Sequence, residues 1–186
     1  MKKIDHRCSW VNLKNPLYVS YHDTEWGRCP KDDQALYELF ILETFQAGLS
    51  WECVLNKRAA IKAAFDGFDV EKICAYDDAT VEIVLNAPGI IRNRAKCRAV
   101  IANTRVYREI RAAFGSFGAY IETFAGKKPV AEAYTVRTTS SVSDALSADL
   151  RARGMKFVGS TTIYAFLQAA GFIQAHGPEC DLCPRR

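Results

Sequence analysis

The sequence lacks any long apolar run. Nowhere in its 186 residues do apolar side chains approach the ~20 consecutive positions that a membrane-spanning helix needs. The first residues, Met1-Lys2-Lys3, lead into polar sequence rather than into the apolar segment of a signal peptide. We therefore expect a cytoplasmic protein of bacterial type that has no membrane partner.

A strong charge excess and a compact cysteine signature are also missing. The net charge of +4 permits a polyanionic partner without requiring one. Seven cysteines without a secretory signal favour reduced thiols, with or without a metal, over disulfides, and they do not form a CxxC…CxxC zinc pattern. With 49% apolar and 25% charged residues, the chain is typical of a globular protein. Its length allows one domain or two small lobes.

The alternation of apolar and polar residues that marks a β-strand is absent, and helical patterns dominate. The sequence therefore predicts an all-α fold. Acidic or hydroxyl residues precede several of the predicted helices, and glycines follow some of them. Only residues 115–139 lack a clear pattern. The predicted helices are Gln34 to Ala47, a helix capped by Ser50, Asp69 to Tyr76, Asp78 to Leu85, Arg92 to Phe114, residues 141–154, and Thr161 to Ala170.

The stretch VLNAPGIIRNRAK predicts two helices joined by a tight turn, over residues 79–111. Gly89 lets the backbone adopt conformations that are closed to other residues, and free N–H groups at the next helix start favour an anion. Four cations follow within seven residues, which suits the sequence-independent grip of a DNA backbone. An ordinary helical turn with a solvated basic face remains the alternative. The cations are Arg92, Arg94, Lys96 and Arg98.

Potential metal ligands lie near both ends of the chain. Cys8 and His22 precede the helical region, while His176 and Cys180 are four residues apart and can be aimed at one point. Together they would make a closed, structural zinc site that ties down the termini. From spacing alone, His6 and Cys183 are alternative ligands or bystanders.

One carboxylate interrupts the apolar stretch LFILETFQAGLSW. Glu43 shares a helical stripe with Leu36, Phe40 and other apolar residues, where an unpaired charge is costly to bury. Nearby aromatic residues provide flat stacking surfaces with polar handles, as a flipped-out nucleobase requires. An aromatic core with Glu43 bonded to a tyrosine or a backbone amide is the alternative. These aromatic residues are Trp10, Tyr18, Tyr21, Trp26 and Trp51.

Four segments, in order, make the chain similar to the 3-methyladenine DNA glycosylase I (Tag) family, over nearly its whole length. They are YHDTEWG, LETFQAGLSW, PGIIRNRAK and SDALSADLRARGMKFVGSTTIYAFLQAAGFIQAH. The resemblance implies one glycosylase domain of the helix-hairpin-helix superfamily, or two helical lobes with the base pocket between them. Two departures stand out: Thr44 occupies a position that is glycine in many relatives, and Pro88 precedes the hairpin glycine.

The resemblance also implies roles for individual residues. Glu43 matches the base-recognising glutamate, Tyr18 and Tyr21 the pocket tyrosines, and Trp51 the stacking tryptophan. Trp10, Trp26 and Gln46 line the same region. The implied ligands of one structural zinc ion are Cys8, His22, His176 and Cys180, which leaves Cys183 without a zinc role.

The implied reaction is hydrolysis of the N-glycosidic bond of 3-methyladenine in damaged double-stranded DNA, a step of base-excision repair. We expect a monomer, because no heptad pattern or obvious exposed apolar patch argues against one. No acidic residue follows the hairpin before Glu109, as expected for this family, and no lysine stands out as a Schiff-base nucleophile. The helical pattern ends at Gly48. The next residue, Leu49, is a candidate to insert into the DNA base stack and fill the space that the flipped-out base leaves. The competing hypotheses are a non-catalytic, zinc-stapled DNA-binding module and, less favoured, a zinc hydrolase.

Overall fold

Nine α-helices make up most of the described chain. The structure is a computed structural model and describes residues 4–30, 32–131 and 137–184. No helix in these ranges is both long and apolar enough to cross a membrane. The helices are α1 Pro16–Thr24, α2 Asp33–Gln46, α3 Trp51–Ala64, α4 Val70–Cys74, α5 Asp78–Asn86, α6 Arg94–Phe114, α7 Phe117–Ala125, α8 Ser141–Ala152 and α9 Ser160–Ala169.

The all-α prediction is confirmed, and the strand content is confined to two short segments. Strands β1 (Val130–Ala131) and β2 (Ile173–Gln174) pair in parallel. A 3-10 turn, Asp66–Phe68, joins α3 to α4. The segment without a clear sequence pattern contains α7 and β1, and part of it lies outside the described residues.

Side-chain caps explain where most of the helices begin. Asp32 accepts a hydrogen bond from the backbone N–H of Ala35, and Ser50 accepts one from that of Cys53, as the sequence predicts. Helix α6 begins two residues later than predicted because Asn93 is its cap. Helix α1 was not predicted. Its signal is Asn15 as the cap with Pro16 in the first turn.

Helix α2 lies at the centre of the fold. It packs against α3, α6, α7 and α9. Of the residues from Leu36 to Phe45, only Leu39 is not fully buried. The single apolar stripe inferred from the sequence was therefore too narrow, because a helix enclosed on all sides buries every face. The centre of the protein thus carries Glu43.

Helices α5 and α6 form the predicted pair around a glycine turn. Gly89 has a φ of 77°, in the left-handed region that favours glycine. A Cβ atom there would lie 3.0 Å from the Cβ of Ala60 in α3. Lys57, also in α3, donates a hydrogen bond to the Gly89 carbonyl at 3.0 Å. The turn therefore packs closely on α3, which requires a residue without a side chain.

Candidate active site

A cavity of about 200 Å³ opens between the end of α2 and the start of α3. Helix α1 places Tyr18 and Tyr21 on one face, three residues apart, and the turn at Gly48 returns the chain so that Trp51 faces the same space. The structure brings together all seven pocket residues named from the sequence. The lining consists of Trp10, Tyr18, Tyr21, Trp26, Glu43, Gln46, Trp51, Ala165 and Gln168.

Glu43 is the carboxylate of this cavity. This residue is 3% exposed, and burial raises the pKa of its carboxyl from 4.5 to about 8. Its Oε2 atom has no hydrogen-bond partner among the described residues. A buried polar atom without a partner costs free energy in the folded state, so this carboxyl is suited to a ligand that supplies a donor or a positive charge.

Two more buried polar atoms of the cavity are unpartnered within the described chain. They are the Tyr21 hydroxyl and the Trp51 indole Nε1. The two rings pack at 5.0 Å between centroids. Burial, together with the nearby Glu43, raises the pKa of the Tyr21 phenol well above its usual value, so it remains a hydrogen-bond donor at neutral pH. The cavity therefore offers two donors, one carboxyl and aromatic faces to a flat polar ligand.

A second cluster joins the two ends of the described chain. The ligand atoms of Cys8, His22, His176 and Cys180 are buried and lie within 4.8 Å of one another. The Cys180 Sγ atom is 3.5 Å from His22 Nε2 and 3.5 Å from His176 Nδ1. Tetrahedral zinc, with Zn–S near 2.3 Å and Zn–N near 2.0–2.1 Å, puts sulfur and nitrogen about 3.6 Å apart. The donor set and its spacing fit such an ion.

Supporting contacts orient the two histidines. His22 contacts Asp23 through Nδ1 at 2.9 Å, and Arg7 in turn holds Asp23 with two nitrogens. A Cβ atom at Gly27, whose φ is 74°, would lie 2.9 Å from His176 Nε2. The glycine that ends the YHDTEWG motif therefore leaves the space that His176 occupies.

The two alternative ligands lie outside this cluster. His6 is 75% exposed and contacts the Asp181 carboxylate at 3.9 Å. Cys183 is not among the grouped ligand atoms of the described chain. The Asp181 side chain also accepts hydrogen bonds from the backbone N–H groups of Asp5 and His6. Hydrogen bonds to Asp181 thus hold the two ends of the described chain together, next to the Cys/His cluster.

The Cys/His cluster and the cavity share an aromatic wall. Trp26 packs against His176 at 4.7 Å and against Trp10 at 4.7 Å between ring centroids. Trp10 also packs against His22 at 5.4 Å. Since both tryptophans line the cavity, the position of its wall depends on the histidines behind it.

The comparison with known families agrees with this geometry. A family model described as methyladenine glycosylase matches residues 10–183. The chain belongs to the methyladenine glycosylase family. It is 42% identical over 182 residues to DNA-3-methyladenine glycosylase 1 of Escherichia coli (strain K12), covering 96% of this chain and 97% of that protein.

Solved structures of the family are also similar to this chain. A crystal structure of 3-methyladenine DNA glycosylase I (TAG) gives a TM-score of 0.91 with 39% identity, covering 96% of this chain and 100% of the other. A Tyr→Phe variant of such a glycosylase, in complex with 3-methyladenine, gives a TM-score of 0.90 with 33% identity, covering 97% and 98%. The fold predicted from the resemblance is therefore confirmed as all-helical and glycosylase-like.

Two lining residues of this methyladenine glycosylase were not identified from its sequence. Ala165 and Gln168 come from α9 and lie three residues apart on one face. Gln168 is a polar residue in a mostly apolar helix, a signal of the same kind as Glu43. Ala165 offered no signal, because alanine is common in any buried helix.

The hairpin cations of this glycosylase differ in their surroundings. Arg92 is exposed and has no ion pair with a described residue, whereas Arg94 pairs with Glu82 and Arg98 with Asp78. Lys96 is 5% exposed and points into the protein. The prediction that Lys96 contacts DNA directly was therefore wrong: its face of α6 packs on the end of α2.

Burial of Glu43 makes the stability of this methyladenine glycosylase depend on pH. The raised pKa means that the folded state holds a proton that the unfolded state loses above pH 4.5, so the contribution of Glu43 to stability falls between pH 4.5 and 8 and levels off above 8. Replacing Glu43 by Gln should raise the free energy of unfolding, relative to wild type, by about 3 to 4 kcal/mol more at pH 8 than at pH 5. Urea unfolding at both pH values measures this, and an equal difference at each would contradict it.

Proposed function

We propose that the chain releases 3-methyladenine from alkylated DNA by hydrolysing the N-glycosidic bond. The single observation that carries the proposal is Glu43, buried and unpartnered at Oε2 among stacking aromatic rings. Methylation at N3 gives the base of the nucleotide a formal positive charge. That charge compensates an ionised, desolvated carboxylate, which a neutral base cannot do. The relatives named above act on 3-methyladenine, in line with this preference.

The proposed mechanism relies on holding a base that is already a good leaving group. The flipped base stacks on Trp51 while Glu43 accepts hydrogen bonds from its edge, and the Tyr21 hydroxyl is available as a donor. Glu43 is the one carboxylate among the described lining residues. Glu109 is exposed on α6 and outside that lining. Water therefore attacks the sugar with little general acid–base help, which suits a cationic base.

The proposed reaction is monofunctional. The described lining of the cavity contains no lysine, so no amine is in place to form a Schiff base with the sugar. The strand should remain uncleaved after the base leaves. We propose further that the chain is a single cytoplasmic domain of the helix-hairpin-helix superfamily, which acts as a monomer.

One structural zinc ion is proposed at Cys8, His22, His176 and Cys180. Four protein ligands leave no open position for water, so zinc there would supply folding energy rather than chemistry. The support is the buried Cys₂His₂ donor set with sulfur–nitrogen distances of 3.5 and 3.6 Å. The same closed set disfavours a zinc hydrolase.

A direct test of the proposed pocket is binding of the free base. Three tryptophans line the cavity, so 3-methyladenine should quench the intrinsic fluorescence of the protein. Adenine lacks the methyl group and should bind at least ~10-fold more weakly, the usual effect of one methyl group in a fitted pocket. Equal affinity for the two bases would contradict the proposed specificity.

The proposed DNA contact centres on the hairpin and Leu49. Gly48 has a φ of 76°, and the next residue, Leu49, is 39% exposed in the turn between the cavity-lining residues Gln46 and Trp51. Replacing Arg92 by Ala should weaken binding to undamaged duplex and reduce the slope of log K against log salt by about 1. Arg108→Ala is the matched control, since Arg108 is an exposed cation on α6 that pairs with Glu71. An unchanged slope for Arg92→Ala would rule out that phosphate contact.

A further inference from the structure

Lys96 closes the end of the helix that carries Glu43. Its Nζ atom donates hydrogen bonds to the backbone carbonyls of Phe45 at 2.6 Å and Ala47 at 2.7 Å. These carbonyls belong to the end of α2, where helix carbonyls have no partner within the helix. Helix α2 has no basic residue in its own last turn. The cation that complements its C-terminal dipole therefore comes from α6, three residues after the cap of that helix.

The Lys96 ammonium also lies near an aromatic ring. The Lys96 Nζ atom lies 5.9 Å from the centroid of the Phe157 ring, within range of a cation–π contact. Phe157 has a φ of 56°, an unfavourable conformation for a bulky residue. The Asn103 side chain holds the preceding residue, Lys156, by both its backbone N–H and its carbonyl. The loop between α8 and α9 is thus fixed in a conformation that presents Phe157 to Lys96.

The residues that Lys96 holds are next to those that act on DNA. Gln46, which lines the cavity, lies between the two bonded carbonyls, and Leu49 follows two residues after Ala47. Burial lowers the pKa of Lys96, and no described carboxylate pairs with it. A neutral side chain would avoid this desolvation, so simple packing does not account for a lysine at this position. Lys96 thus links the first turn of α6 to the turn between α2 and α3, which lies next to the base pocket.

We propose that Lys96, backed by Phe157, is a positioning residue that fixes the Gln46–Leu49 segment for opening the base stack of duplex DNA. This inference rests on the proposed function and adds a requirement to it. Binding of the hairpin to the DNA backbone fixes the position of α6 on the duplex. The hydrogen bonds of Lys96 then fix the position of Leu49 relative to α6. The effect should therefore appear with duplex substrates, in which a stack must be opened and refilled, and not with single strands.

The test compares release of 3-methyladenine from duplex and from single-stranded oligonucleotides. Lys96→Met should lower the ratio of kcat/KM for duplex to that for single strand by about tenfold or more. Arg105→Met is the matched control, because Arg105 also lies on α6 and also bonds backbone carbonyls at a helix end, those of Cys74 and Tyr76. It should cost stability without changing the ratio. An unchanged ratio in folded Lys96→Met would overturn the proposal.

Two further variants keep the proposal testable. Leu49→Ala should lower the same ratio, and adding Lys96→Met to it should lower the ratio little further, because both act at one step. If the loss of this ratio in the double variant equals the product of the losses in the two single variants, the inference is overturned. If Lys96→Met does not fold, Phe157→Leu replaces it, since it leaves both carbonyl bonds in place and should lower the ratio about threefold.

A direct reporter separates this inference from the proposed function. The fluorescence of 2-aminopurine beside the lesion in a duplex should rise when wild type binds, and Lys96→Met should remove that rise while retaining affinity. If wild type releases no 3-methyladenine from either substrate, the proposed function fails. If wild type is active and Lys96→Met gives the full fluorescence rise, only the role of Lys96 fails.

Discussion

Replacing Glu43 by Gln is expected to lower kcat/KM for release of 3-methyladenine by about 10- to 100-fold, the usual effect of losing a hydrogen bond to a charged group. Gln is close in size to Glu and keeps one acceptor oxygen, but it cannot become the anion that a cationic base favours. Single-turnover release from methylated duplex, with the freed bases separated by chromatography, measures the effect. Because the change also removes a buried ionisable group, the variant should be at least as stable as wild type at pH 8.

A matched control for this variant lies on the same helix. Glu38 is also buried in α2, but it is paired with Arg58 and Lys62 at 2.8 Å and does not line the cavity. Glu38→Gln should therefore lower stability while leaving release within about threefold of wild type. If both variants lose the same amount of release activity, Glu43 supports the fold and does not bind the methylated base directly. Full activity of Glu43→Gln would remove the basis of the proposed recognition.

Loss of a proposed metal ligand is the second change with a large expected effect. Structural zinc sites contribute about 10–16 kcal/mol of apparent binding free energy, comparable to the whole stability of a typical domain. Cys180→Ser should therefore bind less than one zinc per chain and unfold at a much lower temperature. Because Trp10 and Trp26 pack between the histidines and the cavity, the remaining folded protein should also bind free 3-methyladenine more weakly. Metal content by mass spectrometry and thermal unfolding are the measurements.

Cys183 provides the control for the metal prediction. It lies three residues from Cys180 but outside the described ligand cluster. Cys183→Ser should keep one zinc per chain and unfold within a few degrees of wild type. A Cys180→Ser protein with a full zinc content, or a Cys183→Ser protein without zinc, would show that the assignment of ligands is wrong.

The sequence was most informative where a residue contradicted its local pattern. A carboxylate in an apolar helix identified Glu43, and the structure places it in a cavity with the six other pocket residues named from the sequence. Cap residues predicted the starts of α2 and α3 because a capping side chain acts on backbone only two or three residues away. Such local signals do not depend on the rest of the fold.

The errors arose where the fold decides the environment of a residue. Lys96 belongs to a run of cations that suggests a DNA-facing surface, yet its side chain reaches carbonyls at positions 45 and 47 of another helix. Helical spacing places Lys96 on the same face of α6 as Val100 and Tyr107, but it does not show that this face packs on the end of α2. Ala165 was missed for a related reason, since only the packing of α9 brings it to the cavity. The sequence alone did not predict these contacts between segments that are far apart in the chain.

The central claim, that this pocket excises 3-methyladenine, is tested most directly by the bases that wild-type protein releases from methylated duplex DNA. The protein should be folded, with its zinc content measured, and the products separated by chromatography. The account predicts that 3-methyladenine is released while 7-methylguanine remains in the DNA and the strand stays intact. A folded, zinc-containing protein that binds the duplex and releases no base would contradict it and favour a non-catalytic DNA-binding module.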